Sequence, residues 1–289
     1  MSEHIQIDDK AIADVSTEGS LHEVAPDLAY QRLGIVNVAY VGAPGGAWVV
    51  IDAGVIGTKL FMTRMIEERF GKDAKPAAIL MTHGHFDHVG NLKALAEEWK
   101  DVPIYAHPVE MRYLNGSTAY PDPDPSVGGG LMSALSRFYP KGPIDVSAWL
   151  QPLPEDGTVP GMPGWRWLHT PGHTDGHVSF WQDTDRTVIA GDAFITTDQE
   201  SAYAVAKQKP EIQGPPMYFT PDWASAKASV RMLADLEPNL AITGHGQAIE
   251  GDELCTGMRI LADRFDEIAV PEQGKYVPEG KEKDAEGTS

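Results

Sequence analysis

The residues that could do chemistry in this chain are histidines and aspartates, and they are bunched. Thr82 to His88 reads Thr-His-Gly-His-Phe-Asp-His, which places His83, His85, Asp87 and His88 within six residues. His173 follows a Pro171-Gly172 turn, Asp192 follows Ala190-Gly191, and His245 sits between Gly244 and Gly246. Imidazoles and carboxylates are the donors that zinc and its first-row neighbours take. His83 and His85 are two apart, so in an extended chain they point the same way. A lone histidine or aspartate at a strand end is more often a cap or turn residue than a ligand. Four ligand-type side chains in six residues have no such packing explanation, and they lift His173 and His245 with them. Seven donors exceed the three or four that one zinc ion needs. Two ions are therefore expected, with one group shared, and Asp192 is the expected bridge because a carboxylate has two oxygens.

These donors need strands to carry them, and the pattern supplies strands. Gly34–Val41 and Ala47–Ile51 are β-branched and apolar, with a glycine turn between them. Met62, Met65, Ile66 and Phe70 recur at helical spacing and Gly71 is a plausible stop. Ala77–Thr82 reads as a buried strand running into the histidine cluster. Leu92, Leu95, Ala96 and Trp99 share a helical face, and Val102–Ala106 is the next strand. In the second half, strands are expected at Trp165–His169, His177–Trp181, Thr187–Ala190 and Leu240–Thr243. A helix carrying Trp223, Ala226, Val230 and Leu233 is expected to be capped by Thr220-Pro221. Each donor group thus follows a strand, and alternation of strands with helices favours sheets covered by helices.

Segments 114–160 and 196–219 are rich in loop chemistry and are expected as insertions over the site. Residues 1–19 read as a loose arm, 20–271 as one domain, and 272–289 as a charged, glycine-rich disordered tail. Within the loops, Met132, Phe138, Tyr139, Met217 and Phe219 are candidates for an apolar pocket. Tyr218, Tyr203 and Tyr120 are candidate proton donors to a leaving group, with Tyr218 preferred. His107, His169 and His177 are expected to serve structure, His177 as a buttress of the ligand loop. Trp165, Trp167 and Trp181 are expected in the core.

Composition narrows the partners. A 289-residue chain with 42% hydrophobic residues can bury a sizeable core. A net charge of −19 repels phosphate backbones and anionic lipid, so neither nucleic acid nor a membrane is an expected partner. The single cysteine, Cys255, excludes an intrachain disulfide framework. No signal peptide and no apolar run of spanning length are visible, which makes the cytoplasm the expected location. The expected ligand is a small molecule, and self-association into a homodimer stays open.

Five segments together resemble the metallo-β-lactamase-fold hydrolase superfamily over roughly residues 20–255. They are Ile51–Gly54, Thr82–His88, Thr170–Thr174, Ala190–Asp192 and Thr243–Gly246, in the family's order. The resemblance implies an α+β fold, a four-layer αββα sandwich of two mixed sheets with the metals at one edge. It implies that His83, His85 and His173 hold one metal, that Asp87, His88 and His245 hold the other, and that Asp192 bridges. It implies for Asp52 a role in orienting the ligand loop. The run His169–Thr174 looks like glyoxalase II enzymes and lactonases, and Gly191–Ser201 like a bacterial group of undefined substrate. The expected reaction is attack of a metal-held hydroxide on an ester, lactone, thioester or β-lactam carbonyl, with Asp87 relaying a proton. Two Zn²⁺ are expected, and Fe or Mn could take the same donors. The alternative is a mononuclear iron oxygenase like the sulfur dioxygenases of the superfamily, which needs only two histidines and one aspartate.

Overall fold

The computed structural model describes residues 5–7, 20–127, 136–197 and 210–277. The strands in chain order are β1 (Ile5–Gln6), β2 (Leu21–Ala25), β3 (Leu28–Leu33), β4 (Val36–Val41), β5 (Val49–Ile51), β6 (Ile79–Leu80), β7 (Ile104–Ala106) and β8 (Leu150–Pro152). They continue with β9 (Trp165–His169), β10 (Val178–Gln182), β11 (Thr187–Gly191), β12 (Glu211–Ile212), β13 (Leu240–Thr243) and β14 (Ile249–Glu250). The helices are α1 (Lys59–Phe70), α2 (Leu92–Glu98), α3 (Met111–Leu114), α4 (Trp223–Asp235), α5 (Asp252–Asp263) and α6 (Phe265–Ile268).

One sheet runs β2-β3-β4-β5-β6-β7-β8, antiparallel through β5 and parallel from β5 to β8. The other runs β14-β13-β11-β10-β9, with β11 and β13 parallel and the remaining pairs antiparallel. Side-chain alternation shows how they stack. In β4, Val38 and Tyr40 join Met62, Ile66, Leu92 and Leu95 of α1 and α2, whereas Ala39 and Val41 face the other way. There they meet Phe180, Ile189 and Ile242 of the second sheet. In β11, Val188 and Ala190 pack on Val230, Leu233, Met258 and Leu261 of α4 and α5, and Ile189 faces the first sheet. Both faces of each sheet are covered, so the layers run helix, sheet, sheet, helix. That is why these strands read as continuous apolar runs.

Several expectations change. Ile5 and Gln6 pair antiparallel with β12 and Ile7 is buried, so the arm is anchored there. Two isoleucines at period two were the overlooked signal. Segment 114–160 contains β8, the edge strand beside β7, so it is only partly an insertion. Segment 196–219 likewise contributes β12, after residues that lie outside those described. Helix α4 is capped by Asp222, whose carboxylate accepts from Ser225 N–H at 3.0 Å, and Thr220-Pro221 merely lead into it. Thr220 lies two residues before the cap position and its hydroxyl donates to the Pro216 carbonyl instead, leaving the open N–H groups of the first turn to Asp222. Residues 272–277, assigned to a disordered tail, pack instead on the 121–127 loop through Lys275 and Tyr276. Among the described residues no helix is long and apolar enough to cross a membrane.

Candidate metal centre

The first sheet delivers the Thr82–His88 segment directly after β6, and Asp52 directly after β5. The second sheet delivers Asp192 after β11 and His245 after β13; His173 comes from the turn between β9 and β10. All seven side chains are buried. Their donor atoms form three groups whose members lie within 4.8 Å of one another: His83, His85 and His173; Asp87, His88 and His245; and His83, His88 and Asp192. The carboxylate of Asp192 lies between the two triads. Its Oδ2 is 3.3 Å from His173 Nε2 and 4.0 Å from His83 Nε2 on one side, and 3.1 Å from His245 Nε2 on the other. Its Oδ1 is 3.5 Å from His88 Nε2.

Hydrogen bonds behind the cluster decide how the rings face it. Asp52 accepts from Thr82 N–H at 2.9 Å, Thr82 O–H at 2.7 Å and His88 Nδ1–H at 2.8 Å. With its proton spent on Asp52, Thr82 Oγ1 accepts from His83 Nδ1–H at 3.1 Å. Thr220 O–H donates to the Pro216 carbonyl, so Thr220 Oγ1 accepts from His173 Nδ1–H. His245 Nδ1–H donates to the Ile35 carbonyl at 2.6 Å. Four rings therefore direct Nδ1 outward to an acceptor and turn Nε2 inward, the orientation a metal ligand needs. A similar chain holds Asp192. Ser179 O–H donates to the Ala190 carbonyl, Thr170 O–H to Ser179 and His177 Nδ1–H to Thr170, leaving His177 Nε2 to accept Asp192 N–H at 2.9 Å. His177 is the buttress expected of it, and burial pushes its pKa down to about 3, as a neutral ring requires.

The donors fit a divalent cation. His83 Nε2, His88 Nε2 and Asp192 Oδ1 are buried without a hydrogen-bond partner, which is costly unless something satisfies them. Burial resists charge on every ring. At His83 and His173 it wins, and both lie well below the usual imidazole range; His85 is pushed down to about 3. At His88 burial is outweighed by Asp192 and Asp52, and at His245 by Asp192 and Asp87, so both are raised. Asp192 is held well below the carboxylate range by His245 and His88 against the effect of burial, while burial raises Asp87. The field that retains a proton on His88 and His245 is one that attracts a cation.

Backbone geometry is specialised here. Asp52 sits at φ +64°, a left-handed conformation that a non-glycine residue adopts at a cost of about 1 kcal/mol or more. A Cβ on Gly244 would collide with Asp192 Oδ1 and stand 2.9 Å from His88 Cε1. Only glycine lets β13 pass this close.

Two supports escaped the sequence reading. Glu110, fully buried, accepts from Gly84 N–H at 2.9 Å, from Thr174 O–H at 3.0 Å, from Tyr120 O–H and from Gly176 N–H. It ties the His83–His85 segment to the His173 turn. Asn37 donates its amide to the carbonyls of Thr243 at 2.9 Å and Gly246 at 2.6 Å, gripping the His245 loop. Of the candidate tyrosines, Tyr120 spends its hydroxyl on Glu110 and Gly84, its ring 4.5 Å from His85. Tyr218 is buried on the wall of a cleft beside His85 and His173, and Tyr203 lies outside the described residues. Of the apolar candidates, Phe219 stacks on His85 at 4.6 Å and the Tyr139 ring lies tilted against Phe86 at 4.8 Å; Met217 packs on the core beneath α4 and α5, and Met132 and the Phe138 side chain are outside the described residues.

Comparison with known proteins gives the family. The family model described as metallo-beta-lactamase superfamily matches residues 32–245, from β3 to the last histidine. The chain belongs to the metallo-β-lactamase superfamily. It is 41% identical over 252 residues to the probable metallo-hydrolase YflN of Bacillus subtilis (strain 168), covering 86% of this chain and 95% of that one. A shorter stretch of 64 residues, 22% of each chain, is 39% identical to a hydroxyacylglutathione hydrolase of Xylella fastidiosa (strain 9a5c). A beta-lactamase domain protein from Burkholderia ambifaria shares the fold, with a TM-score of 0.60 at 18% identity, over 88% of this chain and 75% of that one. The chain is thus an enzyme of the metallo-hydrolase kind with a site for divalent metal.

Proposed function

We propose that this protein is a dinuclear zinc hydrolase that cleaves an ester, lactone, thioester or β-lactam carbonyl. The observation that carries the reading is the placement of Asp192 between two complete triads of buried donors. His83, His85 and His173 would hold one ion, Asp87, His88 and His245 the other, with Asp192 touching both. Imidazole-rich sites with carboxylate suit zinc, and iron or manganese would fit the same donors. Bound there, two such ions acidify water to near neutrality and draw electron density from a carbonyl oxygen.

The chain's own residues do the rest. Asp52, Thr82, Thr220 and the Ile35 carbonyl keep the imidazoles aimed. Asp87 Oδ2 lies 3.5 Å from His245 Nε2, facing the cluster, where it can take a proton and pass it on. Tyr218, on the cleft wall, is the proposed donor to a leaving group that needs a second proton source. Phe219 and Tyr120 pack on His85 and hold its ring in place. The short likeness to a hydroxyacylglutathione hydrolase supports keeping thioesters among the substrates.

Metal content by mass spectrometry, together with a screen of lactones, thioesters and β-lactams, tests the reading. Two ions per chain and turnover in one class are expected, and Asp192→Ala should abolish turnover and lose at least one ion. Retention of both by the variant refutes the bridging assignment. One iron per chain with oxygen uptake would replace the hydrolase by the oxygenase.

A further inference from the structure

Beside the cluster, on the His85 and His173 side, lies a cleft of about 160 Å³ that is partly open to solvent. Its lining is rich in aromatic rings, Tyr113, Tyr120, Tyr218 and Phe219, with Tyr276 from the C-terminal segment; of its carboxylates, Asp122 is paired with Lys141 and Asp175 with Arg112. The cation on this wall is already engaged. Arg112 pairs with Asp175, donates to the Tyr113 hydroxyl oxygen at 2.7 Å and lies over the Tyr113 ring at 4.7 Å. What the cleft offers a ligand is therefore apolar and aromatic area.

Tyr276 is fixed in this wall. Its O–H donates to the Asp122 carbonyl at 2.7 Å, and Lys275 N–H donates to the Asp124 carboxylate. Asp124 N–H in turn donates to the Tyr218 carbonyl at 2.8 Å. Tyr276 and Val277 also pack against the hydrophobic cluster beneath α4 and α5. The C-terminal segment, the 121–127 loop and the turn carrying Tyr218 and Phe219 are thus knit together around the cleft mouth.

We propose that this cleft receives the apolar arm of the substrate and that Tyr276 is a specificity-determining residue closing its outer wall. The proposal takes from the hydrolase reading only the place of the reacting carbonyl; the arm's chemistry comes from the cleft. The substrate class is a carbonyl compound bearing an uncharged aliphatic or aromatic arm.

Calorimetric titration of the full, zinc-loaded chain with acetohydroxamate and octanohydroxamate tests this without turnover. Both carry the same metal-binding head, and they differ by six methylenes. A fully buried methylene is worth up to about fourfold in affinity, so partial burial in an open cleft should favour the longer ligand by at least about 20-fold. Tyr276→Ala should cut that gain at least threefold and leave acetohydroxamate affinity and zinc content unchanged. Tyr276→Phe, which keeps the ring and loses the bond to Asp122, should retain the gain within about twofold. The proposal is overturned if the wild type gains nothing from the longer arm, or if Tyr276→Ala keeps the full gain. A hydrolase reading that fails alone shows differently: hydroxamate selectivity persists while 4-nitrophenyl acetate and octanoate are not turned over.

Discussion

Replacing Glu110 should damage the metal centre from a distance. The carboxylate touches none of the seven proposed ligands, yet its two oxygens collect Gly84 N–H and Tyr120 O–H on one side and Thr174 O–H and Gly176 N–H on the other. In Glu110→Ala, Gly84 N–H keeps the Tyr120 oxygen at 2.8 Å as an acceptor. Tyr120 O–H, Thr174 O–H and Gly176 N–H lose theirs inside the protein. Three stranded buried donors cost about 1–3 kcal/mol each, and the vacated volume adds to that. A loss of about 3–5 kcal/mol is a large part of the roughly 5–15 kcal/mol that stabilises a typical domain. Glu110→Gln keeps the shape and one acceptor oxygen, and should cost about 1–2 kcal/mol. Because Gly84 lies between His83 and His85, and Thr174 follows His173, the same change frees the first triad. Loss of such outer support lowers metal affinity by about 10- to 100-fold. Urea denaturation gives the stability, and competition with a fluorescent zinc chelator gives the affinity. The order wild type, Gln, Ala should hold in both. An alanine variant that keeps zinc affinity within twofold and loses under about 1 kcal/mol would show that Glu110 does not brace the site.

Two further outcomes follow from the same geometry. Stripping metal with a chelator removes the partner of His83 Nε2, His88 Nε2 and Asp192 Oδ1. A ligand present at about 1,000 times its Kd contributes about 4 kcal/mol, so melting should fall by roughly 10 °C. Zinc should restore it and magnesium should not, since magnesium prefers oxygen donors; an unchanged melting curve would remove the metal from the folded state. Away from the site, His107 and His169 stack at 4.2 Å with rings 10° apart, and burial followed by the His169 charge pushes His107 down to about 4. The unfolded chain binds this proton below about 6.5, so His107 withdraws stability as pH falls from about 6.5 to 4. In NMR titration His107 should show a midpoint near 4 that rises in His169→Ala; a midpoint at the ordinary imidazole value refutes the stacking effect.

The sequence announced the donors and hid their supports, for a physical reason. A ligand must end a strand and turn sharply, so His83, Asp192 and His245 come with neighbouring glycines, and Gly244 is forced by the approach of Asp192 and His88. These are local demands, and local pattern records them. Apolar runs such as Val36–Val41 likewise betray strands covered on both faces. Glu110 answers to Gly84 and Thr174, and Asn37 to Thr243 and Gly246; such partners are set by how the sheets stack, which no short window contains. Tyr276 was lost in a charged tail because its wall position depends on Asp122 and Asp124, about 150 residues earlier in the chain. The Thr220-Pro221 cap failed by two residues, because Asp222 is the side chain that meets Ser225 N–H.

The same contrast says how the centre must assemble. One set of donors, His83 to His88, rides on the first sheet, and Asp192 and His245 ride on the second. His245 is aimed by the Ile35 carbonyl of the first sheet, and its loop is held by Asn37 of β4. Neither sheet alone can present both triads, so the stacking of Ala39 and Val41 on Phe180 and Ile242 is a condition of metal binding. Metal bound across that seam would in turn oppose separation of the sheets, since binding to the folded state alone stabilises it. Affinity for the metal and cohesion of the two sheets are then one coupled quantity. A packing change at Ala39, which is none of the donors, should weaken both together.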